Sequence, residues 1–165
     1  MDETYLDEDP NAFGHFTNWI FREVIPAVDL GSLEGLAAIT AFYKLADFLL
    51  IEDLRNVIMD SILKYLKDNT RDLNFFSLSF IRERNLRTTP LYRLALRSAV
   101  RMFIHSPQSF EEGAANDIEF LNNKAELMMD ILEGVREYNK KPYAQVWKCH
   151  RCEFHEHEDS TVCKR

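Results

Sequence analysis

All three cysteines of this 165-residue chain, Cys149, Cys152 and Cys163, lie at its C-terminal end beside His155 and His157. A Cys-x2-Cys pair can place two thiolates around one ion, and zinc takes four S or N ligands in a tetrahedron. With His157 and Cys163 the series reads Cys-x2-Cys-x4-His-x5-Cys, His155 being the alternate ligand. Four protein ligands leave no open position for water, so the zinc implied is structural. The spacing is one residue longer than a zinc knuckle and lacks its glycines, so a reduced, flexible tail and redox-active thiols stand beside this reading. An odd number of thiols in one segment makes a poor disulfide framework.

Arginine forms the second cluster. Arg82, Arg84, Arg87, Arg93, Arg97 and Arg101 face a single acid, Glu83, over that stretch. Arg93, Arg97 and Arg101 recur at i, i+4, i+8 and share a helix face. Such a face reads first as solvated or ion-paired, then as a dock for an acidic partner or the chain's own acidic N-terminus. Nucleic acid is the least favoured partner: it would want aromatics on that face, whereas Leu94, Ala95, Val100 and Phe103 follow the core period.

Catalytic patterns are missing. The sequence has no G-x-x-x-x-G-K, G-x-G-x-x-G, G-x-S-x-G or H-E-x-x-H. His15 and His105 have no carboxylate or nucleophile at a meaningful spacing, and the acids are scattered over polar faces. The 12 phenylalanines read as core filling rather than as a ligand cavity. No enzyme is expected. Net charge is −7, and Asp2, Glu3, Asp7, Glu8 and Asp9 precede the first base, so no global positive field exists to attract nucleic acid or anionic lipid. An acidic start is unlike a secretory signal, and no apolar run approaches the ~18 residues of a membrane span. The expectation is a soluble intracellular protein, cytoplasmic or nuclear, with no membrane partner.

The elements that must position these residues are helical almost throughout. Asp9-Pro10 starts a helix carrying Phe13, Phe16, Ile20 and Val24, with Trp19 beside them; Pro26 and Gly31 mark the following loop. Ser32 caps a second helix to about Leu50, with Leu36, Ile39, Tyr43, Ala46 and Leu50 as its stripe; Gly35 inside it costs up to ~1 kcal/mol relative to Ala. A third carries Leu54, Val57, Ile58, Ser61, Ile62 and Tyr65. Asn74 to Arg84 is a short aromatic-rich helix, and Thr89-Pro90 opens another to about His105. Asn116 caps the last, running to about Tyr138 with Ile118, Leu121, Met128, Ile131, Leu132 and Val135 on one face, and Lys140-Lys141-Pro142 ends it. The fold class is all-α with about six helices and an irregular C-terminal tail.

Several segments together resemble the fungal type of BTB/POZ domain protein. Phe42-Tyr43-Lys44-Leu45-Ala46-Asp47 followed by Ile51-Glu52-Asp53-Leu54-Arg55-Asn56 is similar to the family's Y-x-L-A-D … I-x-x-L-x-N passage. Asp9-Pro10-Asn11-Ala12-Phe13, Phe16 and Trp19-Ile20-Phe21 resemble the helix before it. Phe80-Ile81-Arg82, Thr88-Thr89-Pro90-Leu91-Tyr92-Arg93-Leu94 and Cys152-Glu153-Phe154-His155-Glu156-His157 with Cys163 resemble the helical extension and Cys/His ending of the fungal group. The strand–helix half that opens these domains has no counterpart before Asp9. The resemblance implies an acidic N-terminus (1–8), a partial BTB-like helical region (9–68), a helical extension (69–142) and a Cys/His tail (143–165). It also implies a non-enzymatic adaptor or scaffold whose partner is a protein, such as a ubiquitin-ligase scaffold or a transcription-related protein. The surface that packs on the missing half would then be uncovered, making Phe13, Phe16, Trp19 and Ile20 candidate docking anchors with Arg93, Arg97 and Arg101 as the charged face; a first helix that packs on the others to complete an ordinary core, and a fragmentary product of a longer chain, stand beside this reading. The alternative is a small zinc-dependent nucleic-acid binder using the tail and that arginine helix.

Overall fold

The computed structural model describes residues 10–27, 29–70, 72–105, 125–143 and 153–155. Among them it contains six α-helices and no strand: α1 (Pro10–Arg22), α2 (Leu33–Phe48), α3 (Glu52–Asn69), α4 (Phe75–Glu83), α5 (Pro90–His105) and α6 (Ala125–Lys140). The all-α expectation holds. Asn116, Ile118 and Leu121 lie outside the described residues.

Local chemistry sets the helix starts. The Ser32 hydroxyl accepts from the Gly35 amide at 3.1 Å, and the Asn74 carboxamide oxygen accepts from the Ser77 amide at 2.9 Å. Each satisfies one of the free N–H groups of a first turn. Thr89 precedes Pro90 and its hydroxyl accepts from the Tyr92 amide at 3.3 Å, with proline where no amide is needed.

The end of α2 departs from expectation. Its helical span stops at Phe48, and Leu50 adopts the left-handed conformation (φ 55°). The Ile51 amide reaches back to the Ala46 carbonyl and the Leu50 amide to Asp47, a Schellman closure with leucine where glycine is favoured. Leu50 is therefore no member of the α2 stripe and stands 80% exposed. Arg55 to Asp47, at 2.7 Å, ties α3 back across this turn.

One apolar cluster joins α2 to α6. Phe42, Tyr43, Leu54, Ile58, Met59, Ile62, Leu78, Ile81, Leu94, Leu127 and Ile131 all belong to it. The α3 stripe is rotated from the expected one: Met59 and Leu66 are buried, whereas Val57 is exposed. On α6 Leu127 is buried and Leu132 is exposed. The phenylalanines also depart from their assignment as core filling, because Phe13, Phe21, Phe48, Phe76 and Phe103 are exposed.

Gly35 is required, not merely tolerated. A Cβ there would sit 1.9 Å from the Asp29 carbonyl oxygen. That carbonyl belongs to a loop fixed by the Asp29 carboxylate, which accepts from the Gly31 amide at 2.9 Å and the Tyr65 hydroxyl at 3.1 Å. Gly35→Ala should lower stability by about 1–2 kcal/mol, the overpacking cost exceeding the gain in helix propensity. A thermal melt of the two proteins checks it.

Candidate interaction face

At about 100° per residue, Ala12, His15, Phe16 and Trp19 share one side of α1. That side meets α2: Ala12 is buried, the His15 ring lies 5.8 Å from that of Phe42, and Phe16 and Trp19 are half-buried with rings 6.3 Å apart. Phe13, Ile20 and Phe21 project from the adjoining sector, 57%, 51% and 83% exposed. The apolar arc of α1 is wider than α2 covers. Of the four anchors expected from sequence, Phe13 and Ile20 are available and Phe16 and Trp19 brace the helix on the body. Phe21, the most exposed phenylalanine among the described residues, is not among those expected; a helical wheel of α1 puts it on the same uncovered side as Phe13, which is the signal that could have found it. No charged residue occurs from Pro10 to Phe21.

The arginine face is divided. Arg93 is exposed on α5. Arg97 pairs with Glu153 at 2.6 Å and lies 5.1 Å from the ring centroids of both Tyr143 and Phe154. Arg101 donates to the Tyr143 carbonyl at 3.4 Å. Two of the three thus hold the chain's own C-terminal segment. A separate network, not anticipated from sequence, centres on Asp130 of α6. This carboxylate accepts from the Tyr92 hydroxyl, from Arg87 at 2.5 Å and from Arg82 at 3.2 Å, while Arg82 also reaches Glu126 at 2.6 Å. Its sequence signal is a lone acid inside the apolar stripe Leu127–Ile131.

Between α5 and α6 lies a cleft of about 980 Å³, lined also by Pro142, Tyr143 and Glu153. Arg87, Arg93, Arg97 and Lys141 are matched in it by Asp130, Glu133, Glu137 and Glu153. Its described lining holds no serine, cysteine or histidine. The cleft brings opposite charges together, with the Tyr92 hydroxyl bound to the Asp130 carboxylate in its lining.

Of the expected metal ligands, Cys149, Cys152, His157 and Cys163 lie outside the described residues. His155 is described, and it is seated rather than loose. Its Nε2 is 2.9 Å from the Asp60 carboxylate on α3. The preceding Phe154 is fully buried within the main cluster. For residues 153–155 the flexible-tail reading is corrected: a buried aromatic ring and two polar contacts hold them. Among the described residues no three metal-ligating side chains converge, and no helix is long and apolar enough to cross a membrane.

Asp72, between α3 and α4, has a carboxyl pushed up to about 6 by burial, an effect the nearby Arg101 only partly offsets. One of its oxygens is buried without a hydrogen-bond partner. Because the folded value lies above the unfolded one, the favourable contribution of protonated Asp72 is complete below about pH 4 and disappears as pH rises through about 6. Asp72→Asn is expected to stabilise the fold at pH 7 by about 1 kcal/mol, allowing for screening at a half-buried site, and to be neutral at pH 4. Urea titrations at the two pH values check both limbs.

Comparison with known proteins found no matching family model, no similar curated protein and no similar solved structure.

Proposed function

We propose that the chain is a non-enzymatic protein-interaction module, a BTB-like adaptor or scaffold fragment, docking a partner polypeptide on the uncovered sector of α1. The observation that carries this reading is the apolar arc of α1, which α2 covers only in part, leaving Phe13, Ile20 and Phe21 in solvent. Aromatic anchors of this kind supply most of the binding energy in protein interfaces. A ubiquitin-ligase scaffold or a transcription-related protein remains the class of partner the BTB/POZ resemblance implies. The test is affinity purification of the tagged chain against Phe13→Ser/Ile20→Ser/Phe21→Ser, with a cullin-type scaffold scored first. Partners lost from the variant, with its melting temperature unchanged, support the reading; an identical partner set rejects it.

A structural zinc held by Cys149, Cys152, Cys163 and His155 or His157 is a second reading. It is favoured by the Asp60–His155 contact, since a carboxylate on one ring nitrogen is how metal-binding histidines are commonly oriented. Zinc content of the wild type against Cys149→Ser/Cys152→Ser tests it, and equal near-zero content in both ends it. The arginine face gives the nucleic-acid alternative little support, because Arg97 and Arg101 are engaged within the chain.

A further inference from the structure

We infer that the cleft between α5 and α6 is a binding site for a free α-amino acid with an apolar side chain, its carboxylate on Arg93 and its ammonium on Glu133. The site shares no residue with α1 and goes beyond the docking reading.

The two helices run parallel along their contact. Tyr92 bonds to Asp130, Leu96 and Val100 flank Gly134, and the His105 ring nitrogen lies 2.6 Å from the Tyr138 hydroxyl oxygen. Gly134 permits this close approach, because a Cβ there would stand 2.6 Å from Val100 Cγ2. The register sets Arg93 of α5 within about one turn of the level of Glu133 of α6. Both line the cleft, one on each wall.

The charges inside the cleft select the ligand. Four cations and four anions line it, so its net charge favours neither a simple anion nor a simple cation. Arg87 is bonded to Asp130 at 2.5 Å and Arg97 to Glu153 at 2.6 Å. Glu137 takes Lys140 at 2.7 Å, with Lys141 one turn beyond it. Arg93 and Glu133 are exposed, and among the described residues neither side chain has an ion-pair or hydrogen-bond partner, the other included. Two unpaired charges of opposite sign on facing walls fit a molecule that carries both complementary charges close together. An α-amino acid carries them on one carbon. Its carboxylate can accept two parallel N–H bonds from a guanidinium, and its ammonium can donate to a carboxylate. A lone anion on Arg93 would meet Glu133 as a like charge, and a lone cation on Glu133 would meet Arg93. A peptide holds its two charged ends apart, by more than about 3 Å for each residue added. Further along the cleft the lining includes Leu96, Pro142 and Tyr143, whose ring stands edge-on to Tyr138 at 4.9 Å. A volume of about 980 Å³ lies at the upper end of small-molecule sites and leaves room for a large side chain.

An amide NMR titration of the full chain tests this at about pH 6, where the α-ammonium stays charged. The probes are L-phenylalanine, N-acetyl-L-phenylalanine and L-phenylalaninamide. L-phenylalanine should shift the amides around Arg93, Leu96 and Glu133 with a dissociation constant of about 0.1–1 mM, as open, solvent-screened charges allow. Each capped form lacks one charge and should bind at least about tenfold more weakly. Arg93→Gln should erase the preference over the amide and keep that over the acetylated form, and Glu133→Gln should do the reverse. Both side chains are exposed, so the variants should keep wild-type circular dichroism. This crossed pattern belongs to two ligand contacts and not to a general role in the fold. No shift by about 10 mM L-phenylalanine overturns the site, the result expected if Arg93 and Glu133 pair with one another in solution. Capped forms that bind as well as the free amino acid, or variants that keep both preferences, overturn it too. None of these outcomes bears on α1, whose docking the affinity purification reads.

Discussion

Asp130→Ala is expected to cost the fold about 3–4 kcal/mol, because it strands the groups that its carboxylate now satisfies. The Asp130 side chain is 7% exposed and joins α6 to the α4–α5 turn through Arg82, Arg87 and Tyr92. Removing it leaves the guanidinium of Arg82, itself 21% exposed, without its inner partner and the buried Tyr92 hydroxyl without an acceptor. Asp130→Asn can keep one oxygen for Tyr92 and Arg82 but loses the charge and turns an NH2 donor toward Arg87, which is 59% exposed and can swing to water, so it should cost less, about 2 kcal/mol. The pH dependence separates the two contributions. Burial by itself would raise the Asp130 carboxyl, but the Tyr92 hydrogen bond and the two arginines outweigh it and hold it below the ordinary aspartate range. A depressed folded value means that ionised Asp130 stabilises the protein above about pH 4, and that this stabilisation is lost as pH falls below. Wild type should therefore lose stability below pH 4 more steeply than Asp130→Asn. Chemical denaturation at pH 7 and pH 3 measures both quantities; parallel losses in the two proteins would contradict the assignment.

Cap chemistry made the helix starts legible in the sequence. Ser32, Asn74 and Thr89-Pro90 each announce a first turn by a side-chain acceptor or a ring that dispenses with an amide, and these are local effects. Which flank of a stripe is covered is not local. On α3 the axis of the apolar face runs through Leu54, Ile58 and Ile62, with Val57 and Met59 on either side of it. Periodicity treats the two flanks alike, and the neighbouring helices choose Met59. The same freedom separates Leu127 from Leu132 on α6 and Phe16 from Phe13 on α1. Gly35 looked like a weakness of α2 because the Asp29 carbonyl against it becomes visible only in three dimensions. The arginine cluster was legible as an ion-paired face, but its main partner, Asp130, is more than forty positions away from Arg82 and Arg87.

Phe154→Ala is expected to destabilise the protein by about 3–4 kcal/mol, as befits an aromatic ring removed from a packed interior. No helical period surrounds this residue, so nothing but its burial identifies it as an anchor. Its neighbours should matter much less. Glu153 pairs with Arg97, but the two side chains are 41% and 28% exposed, and Glu153→Ala should cost about 0.5 kcal/mol, reduced further by salt. His155 is almost fully enclosed, at 3% exposed, while its partner Asp60 is 33% exposed and can turn to water. His155→Ala should therefore cost about 1–2 kcal/mol. The order Phe154, His155, Glu153 is the signature of a segment held by apolar burial and oriented by its polar contacts. Electrostatic tethering would invert it, with salt lowering wild-type stability and Phe154→Ala nearly silent. Melts of the three variants at low and high salt decide between these, and proteolysis gives an independent reading. Phe154→Ala should open residues 153–155 to rapid cleavage while α2 to α5 stay protected, since their cluster keeps every other member.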